Sequence, residues 1–384
     1  MNISQIVDKN LSGIYLHIPF CKTRCTYCNF YTLTNETQID NFVDAICVEA
    51  QIRKDEVTSP VKTIYFGGGT PSRLNRGHFN KIFDAIFSNF IIDPNPEITV
   101  EANPDDMSDD YVKMLSELPV NRLSIGIQSF DDDELKFLSR RHSAKQAVDV
   151  VDRANRYGLS NISIDLMYGL PRQSMDIWNK NLRTATDLKI KHVSAYHLIY
   201  EEKTVMNALL KAGKIKPVDE EVSTEMFSLL IDWMKENDFI HYEITAFAKD
   251  GFFSKHNTSY WGSSKYLGLG PAAHSFDGED RSWNVASLYR YIKGIESGVP
   301  DREIEHLSAN DKYNEFILTG LRTIWGIDLS DLHKEYGEKL YSYCMENAIP
   351  HIKTGKLNID NETMKLTRDG VFISDGIVSD LMMV

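Results

Sequence analysis

Three cysteines fall within one short run, His17-Ile-Pro-Phe20-Cys21-Lys-Thr-Arg-Cys25-Thr-Tyr27-Cys28-Asn29-Phe30. A single loop can present Cys21, Cys25 and Cys28 together, and each thiolate can then take a different iron of a four-iron four-sulfur cube. The fourth iron would carry no protein ligand, and an open iron is a place for chemistry. A structural zinc site usually closes with four protein ligands, yet no second Cys-x-x-Cys or histidine pair stands nearby to complete one. The other two cysteines, Cys47 and Cys344, are isolated. Five cysteines so distributed do not read as a disulfide framework, and metal ligation is the better reading.

A second group of chemically useful residues is spread along the chain. Gly67-Gly68-Gly69-Thr70-Pro71 follows an apolar run, and glycines there let backbone groups come close to a ligand. Glu101, Gln128 and Asp165 each fall at or near the end of a β-rich run. Further on stand Ser254-Lys-His256-Asn257-Thr-Ser-Tyr260-Trp261 and Tyr266-Leu-Gly268-Leu-Gly270-Pro-Ala-Ala-His274-Ser275. By its residues alone, His256 reads more readily as a histidine inside an aromatic core than as a ligand.

The elements that must hold these residues can be read from hydrophobic periodicity. From Gly13 to about Tyr200, short β-rich runs alternate with helical ones, the order of successive βαβ units. Six strands are predicted: Ile14 to Ile18, Lys62 to Phe66, Glu97 to Ala102, Arg122 to Gln128, Asn161 to Met167 and His192 to Leu198. Between them, Ser143 to Tyr157 is predicted helical, with a Ser143 and Gln146 capping box and a stop at Gly158.

Alternation along the strands says which face looks where. Ile14, Leu16, Ile18, Ile98, Val100, Leu123, Ile125, Ile127, Ile162, Ile164 and Leu166 make an apolar face for helices to cover. Tyr15, His17, Thr99, Glu101, Ser124, Gly126, Gln128, Ser163 and Asp165 make the other face, which is polar or small. A closed eight-stranded barrel fills its interior with Val, Ile and Leu, so this lining suits an incomplete barrel around a polar ligand. Parallel α/β architectures place their sites at the C-terminal ends of strands, where Glu101, Gln128 and Asp165 fall.

Composition limits the alternatives. A chain of 384 residues with 42% hydrophobic residues can bury a large core, and we expect a whole protein rather than a fragment. No apolar run approaches the roughly 18 residues needed to span a bilayer, and Met1 to Asn10 lacks the pattern of a signal peptide, so a cytoplasmic location is expected. The formal net charge of -13 disfavours a broad nucleic-acid footprint.

The Cys-x-x-x-Cys-x-x-Cys spacing, with Tyr27 just before the last cysteine, resembles the signature of the radical S-adenosylmethionine (SAM) superfamily. The resemblance implies that SAM chelates the open iron, and that electron transfer from the cluster cleaves a carbon–sulfur bond of SAM to give a deoxyadenosyl radical. It tightens over Tyr15-x-His-Ile-Pro-Phe-Cys, Gly67-Gly-Gly-Thr-Pro, Val100-Glu101-Ala-Asn-Pro104, Gly126-Ile-Gln128-Ser-Phe130 and Ile164-Asp165-Leu-Met-Tyr-Gly-Leu-Pro171, which in that order resemble the HemN/HemW group. The implied fold is α/β: an incomplete six-unit barrel with a winged-helix-like C-terminal appendage. The implied SAM contacts are Tyr15, Gly68, Gly69 and Thr70 near the cluster, with Glu101, Gln128, Arg140 and Asp165 around the ligand's charged and ribose groups. A carboxylate such as Asp165 can accept from ribose hydroxyls, and Glu101 from the amino group.

Three segments are expected on this basis: 1–215 with the cluster and SAM site, 216–303 as a connecting region, and 304–384 as the appendage. The last reads helix, helix, then a β-like pair through Lys356 to Ile359 and Met364 to Gly370, without a concentrated basic recognition face. The motif His256-Asn-x-x-Tyr260-Trp261 resembles one associated with haem chaperones of this group, which implies haem or another tetrapyrrole near His256, Tyr260 and Trp261; His274 takes no role. In the related oxygen-independent coproporphyrinogen III oxidases a fourth cysteine follows two positions after the third, and here that position is Phe30. Those enzymes also tend to carry a longer segment before the first strand. Both departures favour haem as cargo, delivered to apo-haemoproteins, over oxidative decarboxylation. Radical SAM modification of RNA or protein is a further alternative, disfavoured by the acidic balance and the His256 motif.

Overall fold

The computed structural model describes residues 12–262 and 264–383. The expectation for Met1 to Asn10 therefore lies outside the described residues. The six predicted strands form as β1 (Ser12–Ile18), β2 (Val61–Gly68), β3 (Ile92–Ala102), β4 (Arg122–Gln128), β5 (Ile162–Tyr168) and β6 (His192–His197). They pair in parallel in sequence order. The connecting helices include α1 (Ile39–Ile52), α2 (Arg76–Asn89), α3 (Asp109–Ser116), α4 (Asp132–Phe137), α5 (Ala144–Arg156) and α6 (Met175–Asp187). Ser143 caps α5 through the expected box with Gln146, and Gly158 follows it at φ 84°.

The apolar face packs as its alternation requires. Ile14, Leu16, Ile18, Val100, Leu123, Ile125, Ile164 and Leu166 are fully buried against helix residues such as Phe42, Phe79, Ile82, Val150 and Leu182. The opposite face is left to line a polar interior. Register carries Tyr15 across to Tyr65, Tyr65 to Thr99 and Thr99 to Arg122.

The stretch after β6 adds to both edges of this sheet, which the sequence reading does not anticipate. Helices α7 (Val205–Lys211) and α8 (Glu220–Glu236) lead to the antiparallel strands β7 (Ile240–Glu243) and β8 (Ala246–Ala248), and β8 pairs with β6. After α9 (Lys255–Tyr260) the chain crosses to the other edge. There β9 (Tyr266–Leu269) runs parallel to β1, followed by β10 (His274–Phe276), β11 (Asp280–Asn284), α10 (Leu288–Glu296) and β12 (Arg302–His306). The twelve strands run β12-β11-β10-β9-β1-β2-β3-β4-β5-β6-β8-β7. These added strands are short and lack the six-residue alternation that marks β1 to β6. A buried network holds the new edge: Glu49 of α1 accepts from Arg53, Gly270, Asn284 and Tyr291.

The last segment has its own core around Tyr313, Ile317, Leu332, Cys344, Met364 and Ile377. It contains α11 (Ala309–Leu321), β13 (Ile327–Asp328), α12 (Leu329–Lys353, broken at Gly337), β14 (Leu357–Asp360), β15 (Thr363–Leu366), α13 (Arg368–Val371) and α14 (Ser374–Leu381). Its sheet runs β13-β15-β14, so the expected β pair is a hairpin with a third, two-residue strand beside it. Among the described residues no helix is long and apolar enough to cross a membrane.

Candidate metal centre and ligand pocket

The cysteine loop leaves the C-terminal end of β1 and is tied at its base. Cys21 N–H donates to the Leu33 carbonyl and Leu33 N–H to the Pro19 carbonyl, while Phe20 is buried edge-on against Phe42. His17 fixes the far side of the loop through its Nε2, 2.9 Å from the Tyr31 carbonyl. Cys21, Cys25 and Cys28 line one cavity of about 470 Å3, a size suited to a small-molecule ligand. Burial pushes the Cys21 thiol up to about 11 and also raises Cys28. Such thiols give up their protons to a metal more readily than to water.

The glycine run closes the next wall. Gly68 has φ 101°, and a Cβ there would lie 2.6 Å from the His17 ring. A Cβ on Gly69 would lie 2.7 Å from the Ile18 carbonyl. The glycines thus serve packing between β1 and β2 as well as access to the cavity. Thr70 donates to Cys21 Sγ at 3.2 Å.

Arg140, which composition alone would leave as a solvated helix-end residue, turns inward. Its guanidinium meets Asn103 Oδ1 at 2.5 Å, the Gly126 carbonyl, and Cys25 Sγ at 3.5 Å. Among the described residues its buried Nε has no hydrogen-bond partner. A buried cation with a spare donor among three thiols suits an anionic cluster, so the residues present fit the group that their spacing implies.

Glu101 and Asp165 face the same cavity from β3 and β5. Burial pushes Glu101 up to about 7, opposed by hydrogen bonds from Tyr65 and Gly68 N–H, with Asp165 raising it further. Burial likewise carries Asp165 up to about 6, opposed by the charge of Arg122 and by hydrogen bonds from Ser194 and Ser124. Gln128, the last residue of β4, sits at φ 70° beside an irregular register between β4 and β5. A non-glycine residue held in that conformation at a strand end re-aims its side chain, and such positions cluster at functional sites.

The structure therefore brings Cys21, Cys25, Cys28, Gly68, Gly69, Thr70, Glu101, Gln128, Arg140 and Asp165 to one cavity. Tyr15 lies just beneath it, stacked on Tyr65. His256, Tyr260 and Trp261 are not among the lining residues. His256 is 1% exposed, and both its ring nitrogens are engaged, Nδ1 with Thr63 and Nε2 with Tyr260, each at 2.8 Å. Burial, with the charge of Arg122, lowers its pKa to about 3, so the imidazole is neutral.

Several residues of the interior escape the sequence reading. Arg122 is 1% exposed, and among the described residues its Nε and Nη1 have no hydrogen-bond partner. Asn103 joins Arg140 to Thr70, and Tyr65 donates to Glu101 at 2.8 Å. Tyr196 lines the cavity from β6. A signal for three of them was present: Arg122 shares parity with Ser124 and Gln128, Tyr65 precedes Gly67 by two, and Tyr196 follows Ser194 by two. Asn103 lies beyond its strand, where alternation gives no guidance.

An incomplete parallel barrel with three cysteines on the loop after its first strand defines a radical SAM protein, and residues 15–185 match the Radical SAM superfamily. Residues 307–373 match the HemN C-terminal domain. The chain is 36% identical to the heme chaperone HemW of Bacillus subtilis (strain 168), over 96% of this chain and 98% of that relative. It is 32% identical to the heme chaperone HemW of Lactococcus lactis, over 97% of each. Among solved structures it resembles coproporphyrinogen III oxidase (HemN) from Escherichia coli, with a TM-score of 0.85 at 20% identity, over 99% of this chain and 92% of that one. That likeness is one of fold. The chain belongs to the HemW family of radical SAM proteins. Membership of the superfamily implies a four-iron four-sulfur cluster and SAM.

Proposed function

We propose that this chain is a haem carrier that holds a cluster on Cys21, Cys25 and Cys28 and SAM beside it, and that passes haem to apo-haemoproteins. The observation that carries the reading is identity above 30% with heme chaperones HemW along nearly the whole of both chains. Within the loop, Phe30 takes the place of the fourth cysteine of the related oxidases, and its side chain is 60% exposed at the cavity mouth.

For SAM, Glu101 would accept from the amino group and Asp165 from the ribose hydroxyls, with Gly68, Gly69, Thr70, Gln128, Arg140 and Tyr15 completing the pocket. When bound, the cluster would supply an electron to SAM. The chain's own part is to hold the two carboxylates out of water and to keep Arg140 against Cys25.

For haem, an exposed apolar rim formed by Phe30, Tyr196 and Ile199 at the same mouth is the better seat for a macrocycle face than the buried His256 motif. His197, exposed on that rim, is the histidine among the lining residues and would offer an imidazole to the iron. Anaerobic titration of the reconstituted protein with haem tests both parts. A saturable Soret band is expected, weakened by Ile199→Asp and shifted by His197→Ala; absence of saturable binding would end the carrier reading.

A further inference from the structure

Helix α9 stands at the end of the strands opposite the cysteine loop. Its first turn is pinned to the middle of β3, where the Glu97 carboxylate accepts the backbone N–H groups of Lys255 and His256 at 3.1 and 3.0 Å. Its last turn is held from the other side, with the Arg322 guanidinium over the Trp261 ring. Between them the His256 imidazole is clamped by Thr63 of β2 and by Tyr260. Gly13 leaves room for it, since a Cβ there would lie 3.2 Å from its Nδ1.

The upper face of that ring carries Tyr65, stacked at 4.9 Å between centroids with 23° between planes. Tyr15 lies beside them at 6.4 Å from His256 and 6.2 Å from Tyr65. Tyr65 in turn donates its hydroxyl to Glu101 at 2.8 Å. A continuous path of contacts therefore runs from α9 to the cavity: Tyr260, His256, Tyr65, Glu101.

We propose that His256 is a positioning residue for the ligand pocket: its ring, fixed by Thr63 and Tyr260, is the shelf that keeps the Tyr65 hydroxyl on Glu101. The physical reasons are three. A neutral imidazole with both nitrogens satisfied is rigid, because any tilt breaks a buried hydrogen bond. Its flat face fits the tyrosine ring and is the closer of the two rings stacked on it, 4.9 Å away against 6.2 Å for Tyr15. An axial bond to haem iron, in contrast, would need the lone pair that now accepts from a hydroxyl, and would need access that a 1% exposed side chain lacks. In this assignment the His-Asn-x-x-Tyr-Trp motif is the floor of the barrel, and its effect on function passes through Glu101.

The inference rests on the reading of Glu101 as a contact to bound SAM, and the test separates the two. SAM is titrated into the anaerobically reconstituted full chain and into Glu101→Ala, His256→Ala, Tyr65→Phe and the His256→Ala/Tyr65→Phe double variant. His256→Ala and Tyr65→Phe should each weaken SAM binding about three- to thirtyfold at unchanged iron content. The double variant should be no weaker than the worse single one, because both changes break the same path. Haem titrations of His256→Ala should give the parent's Soret band. If His256→Ala does not fold, His256→Gln, which keeps a polar partner for Thr63 and Tyr260 but no ring, takes its place with the same non-additivity expected. Additive losses, or an altered Soret band with unchanged SAM affinity, overturn the assignment while leaving Glu101 in place. An unchanged affinity in Glu101→Ala overturns the pocket reading itself and the shelf with it.

Discussion

Arg140 reaches the sulfur of Cys25 at 3.5 Å and the side chain of Asn103 at 2.5 Å. Asn103 donates on to Thr70, and Thr70 to Cys21. Two of the three thiols are thus joined by one hydrogen-bonded path that crosses the ends of β2, β3 and β4. Positive charge and donors near thiolate sulfur favour the reduced, more negative state of a cluster. Arg140→Met should therefore keep the iron but move the cluster's reduction potential to a more negative value, as read by spectroelectrochemical titration. A potential unmoved or more positive would show that Arg140 does not act on the cluster.

The ligand set makes a sharper division. Cys47 lies on α1 with its thiol toward the Lys81 carbonyl, and Cys344 is buried in the separate C-terminal core. Anaerobic reconstitution should give about four irons per chain, lost in Cys21→Ala, Cys25→Ala or Cys28→Ala and kept in Cys47→Ala and Cys344→Ala. Need for either of the latter two would refute the assignment.

For the SAM site, Glu101→Ala and Asp165→Ala should each weaken SAM binding with iron preserved. Loss of one charge-assisted hydrogen bond costs about 1.5–3 kcal/mol, roughly ten- to more than a hundredfold in affinity. Calorimetric titration of each variant reads this directly, and parental affinity in both would remove the two carboxylates from the site.

Affinity for SAM should also depend on pH. With Glu101 at about 7 and Asp165 at about 6, the empty pocket is partly protonated below neutrality. Accepting from an ammonium group requires the carboxylate, so affinity should rise from pH 6 to pH 7.5 with release of a proton. The groups facing this pair are Tyr65 and Gly68 N–H of β2, Arg122 and Ser124 of β4, Ser194 of β6 and Arg140 beyond α4. Of these, Arg140 is raised further and keeps its charge throughout the range. Glu101→Gln should flatten the slope to what Asp165 leaves, and a slope equal to the parent's would assign the titration elsewhere.

The same shift bears on stability without ligands. A carboxyl raised on folding favours the native state fully below its unfolded value of about 4.3, and that contribution is lost as pH rises through about 7. Each displaced unit is worth about 1.4 kcal/mol. Relative to the parent, cofactor-free Glu101→Gln should thus gain in Tm between pH 5.5 and pH 8. A constant difference across that range would mean that Glu101 ionises normally in the folded protein.

The barrel was legible because its strands alternate strictly: the apolar residues of β1, β3, β4 and β5 could be assigned to the helix side before any coordinates, and the carboxylates to the interior. That Cys21, Cys25 and Cys28 come to one cavity was legible from their spacing. The second half was not, because β7 to β12 are short, two of them form the sheet's edges, and the side carrying β9 to β12 is held by the Glu49 network with partners more than two hundred residues away. His256 shows the limit of a motif. Its residues announce chemistry, but only the fold tells that the ring faces Tyr65 in the floor of the barrel and not the mouth.

As a haem carrier, this chain should leave a porphyrinogen's propionates intact. Coproporphyrinogen III, supplied anaerobically with SAM and a strong reductant to the reconstituted protein, decides it by chromatography of the products. Unchanged coproporphyrinogen III is expected from a preparation that binds haem saturably. Conversion to protoporphyrinogen would contradict it.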